Sequence, residues 1–131
     1  MDAEQVKKTI EYWQNSAEYD LGVADVLLEK GKYHYSLFFG HLSLEKILKA
    51  IFVKFTSDHA PITHSLPLLA QKSGLNIDSS HLEKLAEFME FYLEGRYPGD
   101  LEMVYKKFDR SFTEKKLAEI KEVFQWLKKK L

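Results

Sequence analysis

Residues 33–55 read YHYSLFFGHLSLEKILKAIFVKF, and this stretch decides the fold. Its apolar side chains recur at spacings of three and four, and further apolar residues cover most of the remaining circumference. A helix that is apolar on more than one face belongs in the interior of a bundle. The stretch therefore predicts a central helix that contacts most of the other helices.

The segments on either side repeat the helical periodicity. Residues 3–30 carry one apolar stripe, and Gly31 is placed to end that helix, because glycine readily adopts the left-handed conformation of a helix C-terminus. Residues 65–72 predict a short helix with Pro67 in its first turn, ended by Gly74.

Two serine–glutamate pairs have the three-residue spacing of a capping box: Ser80 with Glu83, and Ser111 with Glu114. Each pair precedes a periodic apolar run, which predicts helices over 81–94 and 113–130. Between them, Pro98 and Gly99 favour a turn, so the chain leaves the fourth helix there. The segment 96–112 is nevertheless too apolar for a solvated loop, and we expect it to pack along the bundle or against a second subunit.

Length and composition narrow the class of protein. A chain of 131 residues suits one domain, residues 1–131, and the periodicity predicts an all-α, antiparallel up-and-down four-helix bundle with an additional short helix. A formal charge of −1 provides no overall basic field for nucleic acid, and the absence of cysteine excludes disulfides and zinc–thiolate sites. The acidic N-terminus and the lack of a long apolar run predict a cytoplasmic protein without a membrane segment.

Aromatic residues make up 14% of the chain, more than we expect one small bundle to bury. The composition therefore predicts a homodimer in which some of six aromatics meet the partner: Tyr33, Tyr35, Phe38, Phe39, Tyr105 and Phe108.

A polar row interrupts the central helix, since His41, Glu45 and Lys49 lie four residues apart. The row is either a solvated strip in which Glu45 pairs with Lys49, or a groove for an anionic or nucleotide ligand. No residues at matching spacing on another helix complete a metal site, and no Glu-x-x-His pair of a di-iron bundle occurs. We therefore expect neither a metal nor a cofactor.

Arg96 is one of only two arginines and directly precedes Tyr97 and Pro98. Its planar five-donor guanidinium predicts either an anion clamp, with Tyr97 stacking or donating a hydrogen bond, or a cap on the last carbonyls of its helix. His64, beside the predicted short helix, is either a cap or packing residue there or a neighbour of that clamp.

Four patterns occur in order along nearly the whole chain: the N-terminal Trp13, Ala17, Asp20, Leu21, Ala24, Leu27 and Leu28 with Gly31-Lys32-Tyr33; the aromatic-rich stretch leading into Glu45-Lys46 and Lys49-Ala50; Thr63-His64-Ser65-Leu66; and Tyr92 followed by Arg96-Tyr97-Pro98. With these four patterns the sequence resembles the HEPN family of small helical proteins.

The resemblance implies a bundle that is usually dimeric and often encoded beside a minimal nucleotidyltransferase as a toxin–antitoxin pair. Many members are metal-independent endoribonucleases that use an arginine followed four to six residues later by a histidine. No histidine follows Arg96, since the last one is His81, which argues against that activity. Six residues carry over by position as candidate ligand-binding residues: Glu45, Lys46, His64, Arg96, Tyr97 and Pro98.

Three hypotheses follow. The first is a HEPN-like homodimeric binding module that partners a nucleotidyltransferase or holds a nucleotide or RNA ligand. The second is a non-standard endoribonuclease that combines Arg96 with His64 or His41. The third is a scaffold without a small ligand.

Overall fold

The computed structural model describes residues 1–94 and 97–131, and every regular element within these two ranges is helical. The six α-helices are α1 (Ala3–Glu29), α2 (Tyr33–Thr56), α3 (Leu66–Lys72), α4 (Ser79–Phe88), α5 (Pro98–Lys107) and α6 (Arg110–Lys128), and a 3-10 turn (Met89–Phe91) follows α4. The predicted all-α bundle is confirmed.

Helix α2 lies at the centre, as its sequence predicts. It packs against α1, α3, α6 and the 3-10 turn, and its buried residues point in all directions around the helix axis. Gly40 lies where α2 and α6 approach each other, because a Cβ at this position would come within 2.9 Å of Ile120 Cδ1. The absence of a side chain here allows the two helices to pack closely.

Helix α1 ends as predicted at Gly31, which has a φ of 74°. The Lys32 amide then donates a hydrogen bond to the Leu27 carbonyl at 2.8 Å. This tight turn places α2 antiparallel against α1. Helix α3 is also confirmed: Ser65 accepts a hydrogen bond from the Leu68 amide, and Gly74 follows the helix with a φ of 80°.

The predicted start and end of α4 are wrong. The N-cap is Asp78, whose carboxylate accepts a hydrogen bond from the His81 amide at 3.3 Å, whereas Ser80 lies inside the helix. The helix does not continue to residue 94 but tightens into the 3-10 turn. In a 3-10 helix, residues three apart lie directly above one another. The tighter turn therefore stacks Phe88 and Phe91, both fully buried, with their ring centres 5.9 Å apart.

The start of α6 requires the same correction. Its N-cap is Asp109, which accepts a hydrogen bond from the Phe112 amide at 2.8 Å. The predicted cap, Ser111, is an exposed residue of the first turn. The helix therefore starts three residues earlier than the predicted range of 113–130.

Helix α5 is not predicted by the sequence, because the turn residues Pro98 and Gly99 indicate an irregular segment. Pro98 instead occupies the first turn of the helix, where its missing N–H costs nothing. Val104 and Phe108 face the core, so part of this segment packs along the bundle as expected.

The six aromatics predicted to meet a partner divide into two groups. Phe108 is buried, and Tyr33 and Phe39 pack against the core, so these three need no second subunit. The second group is more exposed: Phe38 is only partly buried, and Tyr35 and Tyr105 remain about half exposed, at 48% and 49%. Among the helices that the structure describes, none is both long enough and apolar enough to cross a membrane.

Candidate functional site

The polar row on α2 is buried. His41 is fully buried, and only 5% of Glu45 and 8% of Lys49 are exposed. The interpretation of the row as a solvated strip is therefore wrong, because the loop between α2 and α3 and the end of α4 cover it. The same contacts bring a residue from far along the chain, His64, onto the row.

Glu45 is the centre of this arrangement. Its Oε1 accepts a hydrogen bond from His64 Nδ1 at 2.8 Å, and its Oε2 accepts one from Lys49 Nζ at 3.2 Å. A buried carboxylate is costly unless it is paired and hydrogen-bonded, and here both oxygens are satisfied. The Lys49 ammonium also lies 5.2 Å from the centre of the Trp13 ring, which offsets part of its own desolvation.

His41 holds the backbone around the site. Its Nε2 lies 3.1 Å from the His64 carbonyl oxygen and its Nδ1 lies 3.4 Å from the Phe88 carbonyl oxygen. Burial lowers the pKa of His41, which favours the neutral ring with a single N–H. We assign that proton to Nε2, because its contact is the shorter, and this hydrogen bond fixes the backbone of His64.

His64 is the member of this group that reaches solvent, with 48% of its side chain exposed. Its ring stacks on Tyr92, with ring centres 4.5 Å apart and an interplanar angle of 22°. Its Nδ1 is engaged with Glu45, and its Nε2 makes no hydrogen bond to the described residues. The imidazole is thus held on one edge and one face, and its other edge remains available to a ligand.

Tyr92 connects this histidine to an aromatic depression. The Tyr92 hydroxyl donates a hydrogen bond to Glu94 at 3.0 Å, and burial, together with Glu94, raises the pKa of Tyr92 to about 12. Phe38 lies 5.8 Å from the Tyr92 ring and also lines a depression of ≈ 210 Å³. The lining residues are His34, Tyr35, Phe38, Leu93, Glu94, Leu101 and Tyr105.

The structure brings together four of the predicted ligand-binding residues. His41, Glu45, Lys49 and His64 meet around one carboxylate, and together with Tyr92 we call them the His64 cluster.

The remaining predicted residues lie elsewhere. Lys46 faces α1, where it pairs with Asp20 at 2.7 Å and donates a hydrogen bond to Ser16, so it is no part of the cluster. Tyr97 is 79% exposed just before α5, Pro98 begins that helix, and Arg96 lies outside the described residues.

Two residues that contact the predicted site residues, Tyr92 and Trp13, are not predicted to do so from the sequence. Tyr92 belongs to the family pattern, but nothing in that pattern indicates that it touches His64, and the periodicity of α1 indicates only a core position for Trp13. The only sequence feature that singles out Tyr92 is its place before Arg96-Tyr97-Pro98 in the family pattern. Within residues 1–94 and 97–131, no group of three or more metal-ligating side chains is assembled.

A model of the HEPN domain matches residues 10–131, which is nearly the whole chain. The chain belongs to the HEPN domain family. A comparison with curated proteins finds no match.

Two crystal structures share the fold of this HEPN protein. TT1696 from Thermus thermophilus superposes with a TM-score of 0.78 at 18% sequence identity, covering 93% of this chain and 98% of that one. ST0689, described as an archaeal HEPN homologue, superposes with a TM-score of 0.71 at 20% identity, covering 91% of this chain and 94% of that one. At these identities the likeness concerns the fold alone.

Proposed function

We propose that this HEPN protein is a homodimeric binding module that holds a nucleotide at the His64 cluster and partners a minimal nucleotidyltransferase in a toxin–antitoxin-type system. One observation carries the nucleotide site: a half-exposed imidazole is held by a buried carboxylate and stacked on a tyrosine. A carboxylate that orients an imidazole fixes which ring nitrogen faces a ligand. If the loop before α3 only packed on α2, an apolar residue at position 45 would serve as well as the buried carboxylate of Glu45.

The surroundings of His64 suit the parts of a nucleotide. The adjoining depression has aromatic walls, including Phe38 and Tyr105, and nucleobases stack on aromatic side chains. The free edge of His64 suits a ribose hydroxyl or a phosphate oxygen. Arg96 is the residue that we expect to clamp the phosphate, because its planar guanidinium binds phosphate oxygens in a bidentate manner.

The dimer and the nucleotidyltransferase partner rest on the family membership, because HEPN proteins that this sequence resembles are usually dimeric and often encoded beside such an enzyme. The partner is tested by pull-down of a nucleotidyltransferase encoded next to this chain, with Arg96→Lys as the variant. This change keeps the charge and loses the fork of donors. Reduced pull-down with an unchanged melting temperature supports a binding role, whereas unchanged pull-down with a lowered melting temperature indicates a helix cap only.

Nucleotide binding is tested by calorimetric titration with purine and pyrimidine nucleoside mono- and triphosphates. We expect His64→Gln to weaken binding roughly tenfold, the effect of about 1.4 kcal/mol. The matched control is His59→Gln, which changes an exposed histidine in the same loop. Failure of the wild-type protein to bind any of these nucleotides at millimolar concentration would leave the scaffold hypothesis in place of the nucleotide site.

The endoribonuclease alternative has one observation in its favour, the pairing of His64 with a carboxylate, which is also found in general bases. His41 does not serve this role, because it is fully buried. Incubation with single-stranded RNA in the presence of a chelator distinguishes the two. We expect the wild-type protein not to cleave the RNA. Cleavage by the wild type that is lost in His64→Gln would support the nuclease hypothesis over the binding module.

A further inference from the structure

Glu94 is the one carboxylate among the described residues that line the aromatic depression. The residue is exposed and forms no ion pair within residues 1–94 and 97–131. The same residues give its side chain a single hydrogen bond, which its Oε2 accepts from the Tyr92 hydroxyl at 3.0 Å. An ionised carboxylate has about four acceptor positions, so Glu94 has the capacity to bind the donors of a ligand.

Tyr92 links Glu94 to His64. Its hydroxyl orients the carboxylate, and its ring stacks on the imidazole of His64 with ring centres 4.5 Å apart. The pKa of Tyr92, raised to about 12, keeps the hydroxyl protonated at neutral pH, so it stays a donor. One side chain therefore holds both polar groups, and a single small ligand can contact the depression and the exposed edge of His64 together.

The base is the part of a nucleotide that suits the depression. The ring centre of His34 lies 4.3 Å from those of Tyr35 and Tyr105, so three adjoining rings form one wall. Nucleobases stack on such rings, whereas the negative charge of Glu94 repels a phosphate. The volume of ≈ 210 Å³ is below the about 300 Å³ at which sites for whole drug-sized ligands begin. The sugar and the phosphate therefore lie outside the depression, beside His64.

We propose that the aromatic depression selects guanine, with the Glu94 carboxylate accepting hydrogen bonds from guanine N1–H and N2–H. This rests on the nucleotide site of the proposed function and names its base. The two donors lie side by side on the edge of the base, and they match the two carboxylate oxygens in the same way as the fork of an arginine.

No other standard base offers that pattern of donors. Adenine and cytosine each place a ring-nitrogen acceptor beside their amino group, and uracil places carbonyl oxygens on both sides of its N–H. When such a base approaches Glu94, an acceptor faces the carboxylate without a hydrogen bond. The hydrogen-bond pattern thus favours guanine over the other three bases.

Calorimetric titration with GMP, IMP and AMP tests the choice of base. IMP retains the N1–H and the carbonyl of guanine but lacks the 2-amino group, so it removes one of the two hydrogen bonds. We expect the dissociation constant of GMP to be at least about tenfold lower than those of IMP and AMP.

Glu94→Gln separates the carboxylate from the aromatic walls. An amide offers one acceptor and one donor, the pattern that pairs with adenine rather than guanine. We expect the variant to lose the preference for GMP and to bind AMP at least as tightly as GMP, with an unchanged melting temperature because the residue is exposed. Glu102→Gln is the matched control, because it removes the same charge from an exposed position of α5 that does not line the depression, and the preference for GMP should remain.

Equal affinities of the wild type for GMP, IMP and AMP overturn the selection of guanine and leave the nucleotide site in place. The same holds if the preference survives Glu94→Gln or is lost in Glu102→Gln. Methylguanidinium that binds as tightly as GMP identifies a site for an organic cation instead, because aromatic rings beside a carboxylate also attract cations. No binding of any nucleotide at millimolar concentration overturns the proposed nucleotide site itself.

Discussion

At the scale of single residues, the chemistry centres on Glu45. Spacing along α2 shows that His41, Glu45 and Lys49 share a face, but it does not show whether that face is covered. The loop that ends in His64 covers it, and the buried carboxylate then requires both of its partners. A group of this kind contributes little net stability, yet removing one partner is expensive because a charge is left unpaired.

We therefore predict that Glu45→Gln lowers the free energy of unfolding by about 3 kcal/mol, measured by urea denaturation. The loss arises because Lys49, with 10% of its side chain exposed, keeps its charge without a charged partner. The double change Glu45→Leu with Lys49→Met replaces the ion pair with apolar groups and should recover most of the loss. A double variant as unstable as Glu45→Gln would show that the ion pair is not the cause.

At the scale of elements, the helix caps show how local sequence signals compete. Both predicted capping serines, Ser80 and Ser111, lie two residues after the aspartates that form the caps, Asp78 and Asp109. Aspartate and serine are about equally good N-caps, so the capping pattern alone does not choose between them. The earlier start adds a turn to α6, and its buried residues begin with Thr113.

The caps can be separated by paired substitutions in α6. We predict that Asp109→Ala lowers the free energy of unfolding by about 1 kcal/mol, because the Phe112 amide loses its acceptor. Ser111→Ala should change it by less than about 0.5 kcal/mol, as expected for an exposed residue without a special contact. If both substitutions lowered the free energy of unfolding equally in urea denaturation, Ser111 would also contribute to the cap.

At the scale of the whole molecule, periodicity is sufficient to predict most of the fold. The central position of α2 and the turns at Gly31 and Gly74 follow from local sequence, because each depends on residues that are close in the chain. Helix α5 is not predicted, because proline occurs both in the first turn of helices, as Pro98 does here, and at positions where helices end. The His64 cluster is only partly predictable, because the contact between Glu45 and His64 joins separate elements.

Stability of the whole molecule should fall on mild acidification, and His41 provides the reason. Burial lowers the pKa of His41 below its ordinary value of 6.5. As the pH falls through that range, the unfolded chain takes up a proton before the folded one does, so protonation favours unfolding. His34, whose pKa is lowered by burial and by Lys32, acts in the same direction.

The carboxylates act in a separate range. The hydrogen bond from His81 lowers the pKa of Asp78, and the one from Lys116 lowers that of Glu87, so their contributions are lost only as the pH falls through values below 4.5. We predict that the melting temperature decreases between about pH 8 and about pH 5.5, and that His41→Gln reduces this decrease whatever its effect at pH 8. His59→Gln should retain the wild-type decrease. If the melting temperature of His41→Gln falls with pH as steeply as that of the wild type, His34 is the source of the acid sensitivity. The variant His34→Gln then tests that assignment.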